Sequence, residues 1–315
     1  MPDLLLGIDI GGTKSAVVLG DTTGRVLERE QFATESPQAT LERLAQIARS
    51  FQRGYTIAAG GVSCGGPLSS RDGLILSPPN LPDWDRVPVV RHFSETLGIP
   101  VALENDANAA AVAEWDWGLH RRVDDLVYLT CGTGQGAGLI LGGRLHRGRQ
   151  DMAGEVGHVR LSPTGPIGYG KAGSAEGLTS GSGLGKLAVE KLRLPHAPTS
   201  LDALPISEIT GKTVGDAALA GDALARGVVA ELATHLGRLC AILIDTLNPQ
   251  RISLGSMAHR LGDLLLEGVR NEACREALPA AFAGCVIDQS VLGERTQDLA
   301  ALAVARQAMR LAGRP

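Results

Sequence analysis

The chain has 315 residues, of which 44% are hydrophobic and 20% are charged, which is the composition of a globular protein long enough for two domains. Its 30 Lys and Arg face 34 Asp and Glu, for a net charge of −4. Because no basic stripe is present, nucleic acid is excluded as an expected partner. No apolar run approaches the ~20 residues of a membrane span, so no membrane partner is expected either.

The five cysteines contain no CxxC pair, which favours reduced thiols in a cytoplasmic protein over a disulfide framework. The first apolar run follows no basic segment and is broken at Asp9. We interpret this run as a strand and not as a signal peptide.

The first segment predicts a strand over Leu4–Ile10, a glycine turn, a second strand over 15–19 and a third over 25–31. The turn consists of Gly11, Gly12, Thr13 and Lys14. Glycines let backbone N–H groups approach a phosphate, and Thr13 and Lys14 add donors. The alternative is an ordinary hairpin turn.

A helix is then predicted from Ser36 and Pro37, with Ser as the cap. The next strand, 56–59, runs into a glycine-rich loop, 60–67, with room for a ligand against its backbone. Residues 78–82 are predicted to be irregular and at the surface, and 89–97 to form a short helix.

A strand-like run, 100–103, leads into Glu104, Asn105 and Asp106 and then into an alanine-rich helix. A carboxylate where a strand meets a helix could act as a general base. Asp106 could equally be a plain helix N-cap, because Asp and Asn are favoured at that position.

The opening pattern recurs after residue 118, as a strand over 126–130, a glycine turn over 132–136 and a strand over 137–141. Residues 251–256 then echo the strand and glycine loop at 57–61. Such repetition predicts two similar α/β halves with a ligand in the cleft between them. Further helices are predicted over 222–247, 257–273 and 297–311.

In their order and spacing, the motifs of this chain resemble those of the ROK sugar kinases, in the actin and hexokinase superfamily. The resemblance spans essentially the whole chain. The motifs that carry it are 9–14, 104–110, 132–138, 154–158, 248–249 and 254–255.

The resemblance implies an α/β fold of two ribonuclease H-like domains with a cleft between them. The smaller domain would comprise 1–118 plus 298–315, and the larger 119–297. The phosphates of ATP would contact Gly11, Gly12, Thr13, Lys14, Gly132, Thr133 and Gly134, and the adenosine would contact Gly255 and Ser256. Asp9 would reach Mg²⁺ through water. The sugar would contact Gly66, Asn80, Asn105, Asp106, Glu155, His158 and Glu176.

Phosphoryl transfer depends on positioning and charge neutralisation, and carboxylates, a His and an amide can read sugar hydroxyls. We expect Asp106 to take the proton of an attacking hydroxyl, at C6 of glucose in the first instance. N-acetylhexosamines, mannose, fructose and allose remain open. Without the family pattern, Glu155 and Glu176 would be interpreted as solvated loop residues, and His158 as a structural His.

Many ROK members bind a structural zinc through one His and three Cys. Here Ile167, Tyr169 and Ser174 stand where those Cys would be. One His cannot supply the four ligands of a structural site, so we predict no zinc, with Ile167 and Tyr169 filling its place.

The family also contains sugar-responsive repressors with an N-terminal helix-turn-helix domain. Because the first predicted strand begins at Leu4, we expect no such domain and favour the kinase. A non-catalytic sugar-binding protein is the third alternative. By family analogy, we expect a homodimer.

Overall fold

The computed structural model describes residues 3–313. The strands are β1 (Leu4–Ile10), β2 (Lys14–Asp21), β3 (Val26–Ala33), β4 (Ile57–Cys64), β5 (Leu68–Ser69), β6 (Leu74–Ile75), β7 (Val101–Asn105), β8 (Leu126–Leu129), β9 (Ala137–Leu141), β10 (Arg144–Leu145), β11 (Ile167–Gly168), β12 (Lys171–Ala172), β13 (Arg251–Leu254) and β14 (Val286–Gln289). The α-helices are α1 (Pro37–Gln52), α2 (Val89–Leu97), α3 (Asp106–Ala113), α4 (Ala175–Thr179), α5 (Gly181–Leu192), α6 (Gly211–Leu219), α7 (Ala223–Leu247), α8 (Met257–Leu261), α9 (Asp263–Glu276), α10 (Pro279–Ala283) and α11 (Thr296–Leu311).

Two five-stranded sheets share one topology. Their strand orders are β3-β2-β1-β4-β7 and β10-β9-β8-β13-β14. In each sheet the central strand, β1 or β8, pairs antiparallel with the strand that follows it and parallel with a later strand. The outermost pair, β4/β7 or β13/β14, is also parallel. The predicted internal repeat and the mixed α/β fold are therefore confirmed.

The described chain divides into two compact units. The first comprises residues 3–122, 145–153 and 294–313, and the second comprises 123–144 and 154–293. The first unit thus includes segment 145–153, which the predicted division into 1–118 plus 298–315 and 119–297 assigned to the other domain. Residues 1, 2, 314 and 315 of that predicted division lie outside the described range.

The core of the first unit lies on its sheet, where every residue of β4 is buried. Parallel strands covered on both faces are typically continuous apolar runs. Helix α1 begins where predicted, with the Ser36 side chain accepting from the Ala39 amide. Leu44, Ala48 and Phe51 form part of its buried face. Helix α11 packs against β1 and β4, which brings the last helix onto the first sheet.

The long helix of the second unit, α7, begins after its N-cap Asp222 and ends at Asn248, which has a left-handed φ of 47°. This agrees with the predicted helix over 222–247. Among the described helices, only α7 is long and apolar enough to cross a membrane. Its most apolar window is 61% buried, and the helix packs against α9. These features are those of a core helix.

Two local expectations were wrong, and a third holds only in part. Strand β4 continues to Cys64, so most of the predicted loop 60–67 is central strand. The predicted helix 257–273 is two helices, α8 and α9, which meet at Gly262. Within 78–82, Pro78 and Leu81 are buried, so this stretch is only partly at the surface.

Candidate active site

The carboxyl ends of three neighbouring parallel strands bring several predicted site residues together in the first unit. The register places Asp9 of β1 opposite Ser63 of β4, and Ser63 opposite Glu104 of β7. One residue further along, Cys64 lies opposite Asn105. Ligands of open α/β sheets bind at this end of the strands, and Asp106 follows directly as the first residue of α3.

Asn105, and not Asp106, is the N-cap of α3. The Asn105 Oδ1 accepts hydrogen bonds from the amides of Ala107 (3.0 Å) and Asn108 (3.4 Å). Asp106 Oδ1 also accepts from the Ala107 amide, at 2.8 Å. The alternative interpretation of Asp106 as a plain cap was therefore wrong. The Asp106 side chain remains exposed to solvent at the start of the helix.

The surroundings of Asp9 and Asp106 disfavour their charged forms. Burial raises the pKa of Asp9 to about 6. The negative charge of Asp106 adds to this rise, and a hydrogen bond from Gln297 opposes it. Although the Asp106 side chain is accessible to solvent, the protein atoms around its carboxylate displace water and raise its pKa, and hydrogen bonds from backbone amides oppose this rise. A divalent cation would relieve both the burial of charge and the repulsion, and carboxylate oxygens suit Mg²⁺. Asp9 therefore fits the predicted cation.

The Gln297 side chain is a site residue that the sequence did not reveal. Its Nε2 donates to Asp9 Oδ2 at 2.8 Å, although the two residues are 288 positions apart. This bond orients one carboxylate oxygen of Asp9. In the sequence, Gln297 was only the expected start of the last helix.

Arg147 is a second residue near the site that the sequence did not reveal. The buried Glu104 carboxylate forms an ion pair with Arg147, at 2.6 Å from the guanidinium Nη2 to Oε2. Its other oxygen, Oε1, accepts from the Asn105 amide (3.1 Å) and from Asn108 Nδ2 (3.0 Å). Glu104 thereby fixes the backbone of the residue that precedes Asp106.

The first glycine turn is tight and exposed. The Gly11 amide donates to Lys14 O at 3.1 Å, and Gly12, Thr13 and Lys14 are solvent-accessible. Asn80 lies directly against this turn, since a Cβ on Gly12 would collide with the Asn80 carbonyl. The loop after β4 also approaches Asp106: a Cβ on Gly65 would lie 3.8 Å from Asp106 Oδ2. Gly66 is the next residue of that loop.

The second glycine turn, in the second unit, meets the start of α5. Gly132 O accepts from the Gly181 amide at 2.7 Å, and Thr133 O accepts from the Ser182 amide at 3.4 Å. The loop after β13 approaches the same turn, because Ser256 Oγ lies 3.7 Å from where a Cβ on Gly132 would be. The predicted phosphate and adenosine residues of this unit are therefore neighbours, and Gly255 is buried.

Glu176 belongs to this neighbourhood rather than to a solvated loop. Its Oε2 accepts from the Gln135 amide at 3.3 Å. A Cβ on Gly134 would lie 2.7 Å from the same oxygen, so any larger residue at this position would displace the carboxylate. Glu155, by contrast, is exposed.

His158 is exposed and stacks on Tyr169, with ring centroids 4.0 Å apart and an interplanar angle of 17°. The expectation that Ile167 fills the place of a zinc ion was wrong, because its side chain is 59% exposed, and Tyr169 is itself 45% exposed beside His158. Ser174 caps α4 by accepting from the Gly177 amide. Within residues 3–313, no group of three or more His, Cys, Asp or Glu side chains is gathered for a metal ion. The zinc-free loop stays a prediction.

The paired sheets, with glycine turns and carboxylates at the strand ends, define an α/β protein of the actin and hexokinase superfamily. The description of the ROK family matches residues 5–307. A crystal structure of a ROK family glucokinase from Streptomyces griseus, in complex with glucose and AMPPNP, has a TM-score of 0.80 and 31% identity, covering 96% of this chain and 99% of that one. The chain belongs to the ROK family.

Curated relatives include both kinases and a repressor. A glucokinase of Streptomyces coelicolor is 33% identical over 85% of this chain and 86% of its own length. An N-acetylmannosamine kinase of Escherichia fergusonii is 33% identical over 88% and 90%. A xylose repressor of Caldicellulosiruptor bescii is 28% identical over 95% of this chain and 77% of its own length.

Proposed function

We propose that this protein, an ATP-dependent sugar kinase, transfers the terminal phosphoryl group of ATP to the C6 hydroxyl of glucose. The observation that carries the proposal is the position of Asp106. Since Asn105 caps α3, the Asp106 carboxylate is left exposed to accept a proton. Desolvation by the surrounding protein atoms raises the pKa of Asp106, which makes the carboxylate a stronger proton acceptor.

The nucleotide is held by the two glycine turns in this proposal. The Gly11 amide is engaged by Lys14 O, so the other backbone amides of 11–14 and those of 132–134 are the proposed donors to phosphate oxygens, and Lys14 adds a positive charge. Gly255 and Ser256 border the adenosine. Mg²⁺, when bound near Asp9, supplies charge neutralisation at the phosphates. Gln297 keeps one Asp9 oxygen oriented for that role.

In this proposal the sugar is recognised by polar side chains and by the backbone of one glycine-rich loop. Asn105 has committed its Oδ1 to the helix cap, so it offers its NH₂ group as a donor. Asp106, Glu155 and Glu176 accept from hydroxyls, and His158 contributes a ring nitrogen. Gly66 and Asn80 complete the set of proposed contacts. The similarity to glucokinases favours glucose as substrate, and the relative that is an N-acetylmannosamine kinase keeps N-acetylhexosamines under test.

The deciding experiment is a coupled ADP-release assay with Mg-ATP across glucose, mannose, fructose, allose, N-acetylglucosamine and N-acetylmannosamine. Turnover that is highest on glucose, with phosphate found at C6, supports the proposal. Turnover on an N-acetylhexosamine alone refutes the substrate and keeps the enzyme class.

A sugar-binding regulatory protein without catalysis is the second candidate, because a xylose repressor is among the relatives. Silence in the ADP assay, together with a rise in melting temperature on adding one of the sugars, would favour it over the kinase.

We further propose a homodimer that works in the cytoplasm. The described cysteines are all free, and Cys64, Cys131 and Cys240 are buried, which fits a reducing compartment. Light scattering of the purified protein tests the oligomeric state: a mass of one chain refutes the dimer.

A further inference from the structure

A cavity of about 600 Å³ lies in the first unit, and its lining includes none of the residues assigned above to ATP. The turn at Ser70 and Arg71 forms one wall, and the loop 145–151 forms another. Gln307 and Leu311 of α11 complete it. Its volume falls within the range of small-molecule pockets.

The lining of this cavity is basic, although the chain as a whole carries a net charge of −4. Three arginines, Arg71, Arg147 and Arg149, face one carboxylate, Asp151, which gives a formal charge of +2 with His146 counted as neutral. Asp151 also accepts from the Ser70 amide at 2.9 Å. The cavity therefore favours an anionic occupant.

Two of these arginines have no competing charge partner. Within residues 3–313, Arg71 and Arg149 form no ion pair, and both side chains are exposed. Guanidinium groups bind phosphate oxygens through paired, charge-assisted hydrogen bonds. We propose that this cavity binds the phosphate group of a small phosphorylated compound or of free inorganic phosphate.

Arg147 connects this site to the catalytic strand. Its guanidinium both lines the cavity and pairs with the buried Glu104, and it donates to Gln307 Oε1 at 3.1 Å. Glu104 in turn holds the Asn105 amide at 3.1 Å, directly before Asp106. A phosphate that draws Arg147 towards itself weakens the pair with Glu104, so its binding changes turnover. This last consequence rests on the proposed kinase activity, whereas the binding itself does not.

The test is isothermal titration calorimetry with sodium phosphate on three proteins: the unmodified chain, R71A/R149A, and R53A/R193A. The third protein loses two exposed arginines elsewhere and so matches the change in net charge. We expect phosphate affinity to fall roughly tenfold or more in R71A/R149A and to be unchanged in R53A/R193A. Absence of phosphate binding in the unmodified chain, or equal affinity in all three proteins, overturns the proposal.

A parallel titration with glucose 6-phosphate identifies the occupant. Tighter binding than phosphate, lost in R71A/R149A, indicates a sugar phosphate. Glucose 6-phosphate binding that R71A/R149A leaves unchanged, while phosphate binding is lost, indicates that free phosphate is the occupant of the cavity. Should the double variant fail to fold by melting temperature, R71A and R149A are titrated singly, and unchanged phosphate affinity in both refutes the site. ADP release with and without phosphate is measured last, so that an inactive enzyme leaves the binding result intact.

Discussion

Replacing Asp106 with Asn separates the chemistry of the site from the stability of its helix. The substitution removes a charge and keeps an oxygen near the Ala107 amide, which Asp106 Oδ1 contacts at 2.8 Å. The same amide also donates to the cap residue, Asn105, at 3.0 Å. We therefore expect the free energy of unfolding to change by less than about 1 kcal/mol, and to rise if anything, because a charge that faces Asp9 is lost.

Turnover responds very differently. Without a carboxylate to accept the hydroxyl proton, kcat of D106N falls by ~10²–10⁴, which corresponds to about 3 to 5 kcal/mol in the activation barrier. The KM for glucose stays within a few-fold, since Asn still accepts hydrogen bonds. Coupled ADP release gives kcat and KM, and urea denaturation gives the stability.

The matched control is N105A. N105A removes the cap and costs about 1 kcal/mol of stability. We therefore expect N105A to be the less stable of the two variants and D106N to have the lower kcat. If D106N kept kcat within a few-fold of the parent, Asp106 would not be the base. If D106N lost as much stability as N105A, the assignment of the cap would be wrong.

Three further predictions concern other parts of the molecule. Although burial opposes it, hydrogen bonds from the amides of Ala225 and Ser200 lower the pKa of Asp222 well below its usual range. The charged form of Asp222 therefore stabilises the fold above pH ~4, and this stability is lost on acidification. We expect D222N to cost about 2 kcal/mol of stability at neutral pH and less in acid, which denaturation as a function of pH would measure. Y169A removes the ring that stacks on His158 and should raise the sugar KM by about 2- to 12-fold with kcat nearly unchanged, whereas Y169F should not; equal effects of both would refute the stacking argument. Elemental analysis of tag-free protein should find far less than one zinc per chain, and near-stoichiometric zinc would contradict the prediction for the loop.

The elements that sequence predicted best are those whose signals are local. Strand β1 and helix α2 lie where their apolar patterns indicated. Ser36 and Asn248 mark helix ends, because a cap is a property of a few neighbouring residues. The repeated order of strand, glycine turn and strand likewise predicted two similar sheets, which the shared topology confirms.

Local signals failed where packing overrode them. The glycines of 60–61 suggested a loop. In the structure they belong to a central strand, which gains hydrogen bonds from parallel neighbours on both sides, and a strand tolerates glycine where another part of the chain approaches its backbone closely. The sequence also could not decide whether Asn105 or Asp106 caps α3. Both residue types cap helices, and the choice depends on knowing the start of the helix to within one residue.

The partners of the site carboxylates were decided by tertiary structure alone. Asp9 meets Gln297 across 288 positions, and Glu104 meets Arg147 across 43. Nothing in either local pattern specifies a partner so far along the chain, because only the stacking of α11 and of the 145–153 segment on the first sheet brings them within reach. Sequence alone thus indicated which residue types do the chemistry, and the fold decided which groups orient them and set their pKa values.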